Sequence, residues 1–337
     1  MVKKNRISKL TIVLISLIVI AFILTLIYIM SKINKLKEIT SSIKIPDGFY
    51  YVGGDINTGI IISDSEKDEF KGVKYNRINK LKGNQFVWVP VEKAIANSFE
   101  EVETLIKQGK NPIAIKNQDK YIGIRYNFNS YSHGYNFYFN VLDNIEPYVE
   151  NELNSEAQYE FNKMVEQVEK NKGFYISRFE VGNLSNAINN DGKVVSKAGE
   201  DDITYQNWID LYKALKEMYN RDDITTEMIW GCQWDAALVW MSNNAKLNEY
   251  IYNSKNIGNY YNILEKTGSN PDYCINNIYD MAGNAFEWTQ RGNPKEGKEA
   301  LGGCYSIDSA YFLYNTRTYE ITSPWKEVGT RMTMYVN

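Results

Sequence analysis

From Leu10 to Ile29 the chain reads LTIVLISLIVIAFILTLIYI, a run of about 20 residues without a charge, and this run limits what the rest can be. At about 1.5 Å of rise per residue, a helix of that length crosses a hydrocarbon core of about 30 Å. A cleavable leader has a shorter apolar core of about 7–15 residues and small residues at its cleavage site, and Tyr28-Ile29-Met30-Ser31 provides no such site. A prepilin-type anchor is disfavoured too, because no Gly precedes the run and no Glu lies just inside it. Lys3, Lys4, Arg6 and Lys9 precede the span, and Lys32, Lys35 and Lys37 follow it with Glu38. With so short a tail, this bias places the N-terminus in the cytoplasm. The expected organisation is a cytoplasmic tail at 1–9, a transmembrane anchor at 10–30, a stalk at 31–45 and a folded domain at 46–337. That makes a single-pass protein of the cell membrane with its C-terminal domain outside.

The remainder has the composition of a chain that folds. The whole chain of 337 residues is 44% hydrophobic and 23% charged, enough to build a real core. The net charge of −3 and the scattering of lysines among acidic neighbours leave no basic stripe, so no nucleic-acid partner is expected. Three cysteines, Cys232, Cys274 and Cys304, form no C-x-x-C pair, and His133 is the single histidine. That one count removes HExxH zinc sites and any three-histidine metal site.

Elements follow from pattern. Ile29, Ile33, Leu36, Thr40 and Ile43 alternate three-and-four spacing, so the anchor helix continues as a stalk until Pro46-Asp47-Gly48. GFYYVGGDINTGIIISD pairs two β-rich runs around a turn, and GNQFVWVPV at 83–91 is a further strand. Residues 92–150 read as a polar, irregular insertion with a helix around Ser98–Lys107. Ser155 followed by Gln158 has capping-box spacing, and Ala157, Phe161, Met164, Val165 and Val168 form the apolar face of the helix that follows. A strand at 173–182 precedes two helices, one at Thr204–Tyr219 and one at Gln233–Met241. The remainder reads as loops and short strands, making the class α+β.

Most specific is YDMAGNAFEW at 279–288, an apolar and aromatic stretch carrying Asp280 and Glu287. With GFYISRFEVGN at 173–183, Trp234-Asp235-Ala236-Ala237, Leu301-Gly302-Gly303 and Gly329-Thr330-Arg331, it resembles the formylglycine-generating enzyme (sulfatase-modifying factor) family over roughly residues 46–337. The resemblance implies a fold related to C-type lectins, with irregular loops over a rigid core. It also implies a Ca²⁺ site at this motif, taking side-chain oxygens from Asp280 and Glu287 and carbonyls from Gly283 and Ala285. A hard cation favours such oxygens, and it would offset the cost of burying two carboxylates. The alternative is that these carboxylates pair with Arg291, Arg317 or Arg331.

The family's oxidase chemistry, as the resemblance implies it, needs two cysteines shortly after the Gly-Gly to hold copper and converts a substrate cysteine to formylglycine. Aligned on Gly302-Gly303, those positions are Ile307 and Phe312, which cannot ligate copper. Cys304 alone makes a poor Cu(I) site, so copper is not expected. Iron-dependent relatives use several histidines, which His133 cannot supply. Glu227-Met228-Ile229-Trp230 replaces the family's Arg-Leu-Pro-Thr lead, and Gly-Thr-Arg its final Gly-Phe-Arg. The reading is therefore a membrane-anchored, extracellular, non-catalytic binding or scaffold domain that keeps a calcium loop. Its expected partner is an extracellular protein or glycan, met by Tyr305, Tyr311, Tyr314, Asn315 and Tyr319, since tyrosine gives contact area at low entropic cost. The alternative is a divergent oxidase acting on a protein cysteine through Cys304.

Overall fold

The computed structural model describes residues 9–65, 78, 80–128, 137–139, 153–183, 194–219, 221–242, 254–261, 263–293, 297–307 and 316–337. The chain divides into two compact units, Met1–Lys44 and Ile45–Asn337. In the first, helix α1 (Lys9–Ser42) is 34 residues long, so the apolar run and the stalk spacing form one continuous rod. Its window Leu14–Ser31 has a mean hydropathy of 2.7 and is 0% buried, so the helix is long and apolar enough to cross a membrane.

The second unit is built on two sheets whose strands are β1 (Tyr50–Gly53), β2 (Ile60–Ser63), β3 (Gln85–Pro90), β4 (Gly173–Ser177), β5 (Ile224–Met228), β6 (Phe286–Asn293), β7 (Gly297–Leu301), β8 (Thr316–Tyr319), β9 (Val328–Thr330) and β10 (Met332–Val336). The larger sheet runs β1-β2-β3-β4-β10-β5 with every pairing antiparallel. β1 and β2 are the hairpin expected around the Gly-Gly-Asp turn. The smaller sheet runs β8-β7-β6-β9, and its β6–β9 pair is parallel. Strands β2, β3, β4 and β10 are almost wholly buried, and their near-continuous Ile, Val, Phe, Tyr and Met runs reflect cover on both faces.

The helices Leu153–Asn171, Trp208–Lys216 and Gly231–Met241 pack on these sheets, and Phe99–Lys107 packs on the strand Ile95–Ala96. Helix α2 (Phe99–Lys107) begins where Ser98 accepts the Glu101 amide at 3.2 Å. Helix α3 (Leu153–Asn171) packs across β4 and β10 through buried Phe161, Met164, Val165 and Val168. It begins two residues before Ser155, so the Ser155–Gln158 spacing does not mark its start; Gln158 instead donates to Asn162 Oδ1 at 3.0 Å. Helix α4 (Trp208–Lys216) is shorter than expected because Asn207 caps it, accepting the Asp210 amide at 2.9 Å. Every residue of helix α5 (Gly231–Met241) is buried, as a helix apolar nearly all round requires.

Residues 92–128 depart from the polar, irregular reading. Ala94, Ala96, Val102, Leu105, Ile113 and Ile124 join the main core, and Ile95–Ala96, Ala114–Asn117 and Lys120–Gly123 form a small sheet.

Candidate functional site

The parallel register of β6 on β9 sets Glu287 opposite Gly329, two residues before Arg331. Arg331 is the single residue between β9 and β10, where the chain leaves one sheet for the other. Its Nε reaches Glu287 Oε1 at 2.9 Å and Oε2 at 3.1 Å, and its Nη2 reaches Oε1 at 2.6 Å. Trp234 Nε1 donates to Oε2 at 2.7 Å. The rest of the guanidinium is satisfied by the carbonyls of Ser177 (2.9 Å) and Tyr279 (2.7 Å). Side-chain exposure is 0% for Arg331 and 1% for Glu287, so this is a fully buried bidentate pair. Burial pulls the Arg331 guanidinium down, but Glu287 outweighs it and the group is held above its usual value.

Around this pair the core gathers three more carboxylates. Asp280 adopts φ +57°, a left-handed conformation that suits Asp better than a branched residue, and its Oδ2 accepts the Gly268 amide at 2.8 Å. Glu180, fully buried, accepts the Ala285 amide at 3.1 Å and the Asn284 side-chain amide. Asn284 is itself a hub: its Oδ1 accepts from Asn259 Nδ2 and from the Glu265 amide, both at 2.9 Å. Asp202 is buried with neither carboxylate oxygen hydrogen-bonded. Burial first, and then the neighbouring carboxylates, push Glu180 and Asp202 well above the usual carboxylate range. Burial lifts Asp280 to about 7 against the Gly268 hydrogen bond and Arg331. One guanidinium thus faces four acids, and burial with their mutual repulsion favours the protonated forms of Glu180, Asp202 and Asp280.

The calcium reading meets this geometry directly. Three N–H groups, Nε–H and Nη2–H of Arg331 and Nε1–H of Trp234, already engage both oxygens of Glu287. Glu287 therefore does not fit as a cation ligand, and the counter-charge expected from Ca²⁺ comes from Arg331, one of the three arginines weighed from sequence. Of the other two, Arg291 pairs with Asp235 (2.7 Å) and Glu299 (2.8 Å), and Arg317 lies over the Phe286 ring at 5.4 Å. Among the described residues no group of three or more His, Cys, Asp or Glu side chains is placed to hold a metal ion. Gly283 has a backbone role instead. At φ +71°, a Cβ there would lie 2.3 Å from the Asn259 carbonyl, and its amide donates to Gly302 O at 2.8 Å.

That contact and Tyr305 N to Asn284 O (2.8 Å) fasten the 283–285 turn to the segment carrying Cys304. Cys304 is fully buried, its thiol 3.3 Å from Ser306 Oγ, and burial pushes it up from its usual value. None of the three cysteines forms a disulfide. Tyr305 is half-buried. Tyr319 packs edge-on to Trp288 (5.6 Å) and against Trp325 (4.9 Å), inside an aromatic cluster. Tyr311, Tyr314 and Asn315 lie outside the described residues, as does His133.

Sequence reasoning passed over Asp202 and Glu265, and did not single out Asn284 within the 279–288 motif. Isolated polar residues in loops carry no periodic signal, so their convergence is visible only in three dimensions.

No family model matches the chain, and no curated protein matches it. Among solved structures, "Crystal Structure of CarF" overlaps 49% of this chain and 88% of its own, at 15% identity and a TM-score of 0.37. Treponema denticola variable protein 1 overlaps 49% and 85%, at 12% identity and 0.32. PvdO from Pseudomonas aeruginosa overlaps 49% and 82%, at 13% identity and 0.30. Overlaps at these TM-scores do not assign an activity, and the chain's own residues carry the reading that follows.

Proposed function

We propose that this chain is a membrane-anchored domain displayed outside the cell for recognition or scaffolding, and that its buried polar groups serve the fold, not a reaction. The observation that carries this reading is the burial of the motif's reactive groups. Glu287 is engaged by Arg331 and Trp234, and Cys304 is 0% exposed with its thiol held in the protonated form. A Cu(I)-binding oxidase needs accessible, ionised thiolate. An anchor with a hydropathy of 2.7 over Leu14–Ser31 ties such a domain to a membrane, and the charge bias around it favours outward display.

Two measurements on the full-length chain test this. Protease added to intact cells is expected to remove the 45–337 unit while leaving cytosolic proteins whole; protection in intact cells and digestion only after lysis would reverse the orientation. The purified chain in detergent, given Cu(I) and a cysteine-containing peptide, is expected to consume no oxygen above the Cys304→Ala background. Cys304-dependent uptake would establish the oxidase alternative.

A further inference from the structure

Helix α3 lays its apolar stripe on β4 and β10, and its next stripe turns to a different task. Glu156, Tyr159, Glu160, Lys163 and Gln167, spaced by three and four residues, form one wall of a cleft of about 430 Å³. Lys216, at the end of α4, and residues of β5 and β10, including Glu227 and Tyr335, complete it. The cleft shares no residue with the 280–287 segment.

Glu227 is its distinctive group. It is 5% exposed, and its Oε1 accepts Trp230 Nε1 at 2.9 Å. The charged and titratable groups around the cleft are Glu156, Tyr159, Glu160 and Lys163 from α3, Lys216 from α4 and Tyr335 from β10. Both lysines are engaged elsewhere. Lys216 pairs with Glu160, which also accepts from the Tyr212 hydroxyl, and the Lys163 ammonium sits 4.8 Å over the Tyr159 ring. Glu227 has no ion pair among the described residues, and the charge acting on it most is another carboxylate, Glu160. Glu287 and Asp235, equally buried, each have an arginine. A buried carboxylate without a counter-ion, lining a cavity of small-molecule size, is a site that a cation completes.

We propose that this cleft binds a small organic cation whose ammonium pairs with Glu227 while its alkyl body lies against Met164 and Tyr159. Burial pushes Glu227 up to about 7, with the Tyr335 and Trp230 hydrogen bonds opposing, so the acid ionises across the neutral range and the ligand stabilises the ionised form.

Titration calorimetry on the full-length chain in detergent tests this with 1,4-diaminobutane, using 1,4-butanediol as the uncharged control. The diamine is expected to bind about tenfold more tightly at pH 8 than at pH 6, following ionisation of an acid near 7, and the diol not to bind. Glu227→Gln is expected to lose both the affinity and its pH dependence while keeping the native circular dichroism spectrum. Thr225→Trp, at an exposed lining position, narrows the cleft without touching the buried acid and is expected to weaken binding at both pH values. Absence of diamine binding at both pH values, equal binding of the diol, or unchanged affinity in Glu227→Gln overturns the proposal. Should Glu227→Gln fail to fold, undiminished binding in Thr225→Trp overturns it equally.

Discussion

Arg331 grips both carboxylate oxygens of Glu287 from the single residue between β9 and β10, and neither side chain reaches water. Removing one partner leaves the other buried and unpaired, so Arg331→Met is expected to cost about 3–5 kcal/mol. Urea denaturation of the full-length chain would measure it. Glu287→Met combined with Arg331→Met should recover part of the loss, because the charge disappears, but not all of it. The Ser177 and Tyr279 carbonyls would still lack the donors that Arg331 supplies. A single substitution costing less than about 1 kcal/mol would mean the pair carries little of the fold.

The same pairing predicts how the domain answers calcium. With both oxygens of Glu287 engaged by the N–H groups of Arg331 and Trp234, Glu287→Gln should lower the melting temperature equally in millimolar calcium and in chelator. A larger loss in calcium would restore the cation reading of this loop.

Stability should fall as pH rises. Glu180 and Asp202 hold their protons well above the pKa of about 4 that they have in an unfolded chain, and Asp280 does so up to about 7. The folded state therefore binds more protons than the unfolded state from about pH 4 upward. The stability these groups contribute is complete below that pH and is lost as pH rises through their folded values. The urea midpoint is expected to be lower at pH 8 than at pH 5. Asp202→Asn should raise it at pH 8 and flatten the slope, since burial and the neighbouring carboxylates disfavour its charged form. A midpoint that climbs from pH 5 to pH 8 would refute this assignment.

Thiol labelling separates the three cysteines. Cys274 is half-exposed, whereas Cys232 and Cys304 are buried. Maleimide added to the native chain should modify Cys274 and reach the other two only after unfolding, because the reactive species is the thiolate and burial disfavours it at Cys304. Labelling of Cys304 at the rate of Cys274 would return it to the set of chemically available groups.

Elements with local causes were legible in the sequence. The apolar run at Leu10–Ile29 and the stalk spacing beyond it are properties of the segment alone, and α1 follows both. The β1–β2 hairpin and the cap of α2 at Ser98 are equally local. Ser155 misled because an N-cap motif is also an ordinary surface sequence once a helix already runs through it. Residues 92–128 looked polar because their apolar positions are interspersed among charged ones, yet those positions reach the core through a small sheet that no periodicity announces. At the candidate site, the pattern identified Asp280, Gly283 and Glu287 as unusual, and Arg331 stood among three possible partners. Choosing it required the β6–β9 register, which is a long-range pairing. Asp202 had no signal, and Asn284, though inside the 279–288 motif, had nothing to set it apart as a hub.

The strand β10 has a consequence for how the chain is made. It lies between β4 and β5, pairing Ile176 with Thr333 and Thr226 with Met334. Until residues 332–336 emerge, β4 has an open flank and β5 has no neighbour, while the apolar stripe of α3 lacks half its platform. A chain made from its N-terminus must keep these edges from pairing with other chains throughout synthesis of the segment between. Its yield should then depend on chaperones that hold the open edges more than on the intrinsic stability of the finished domain.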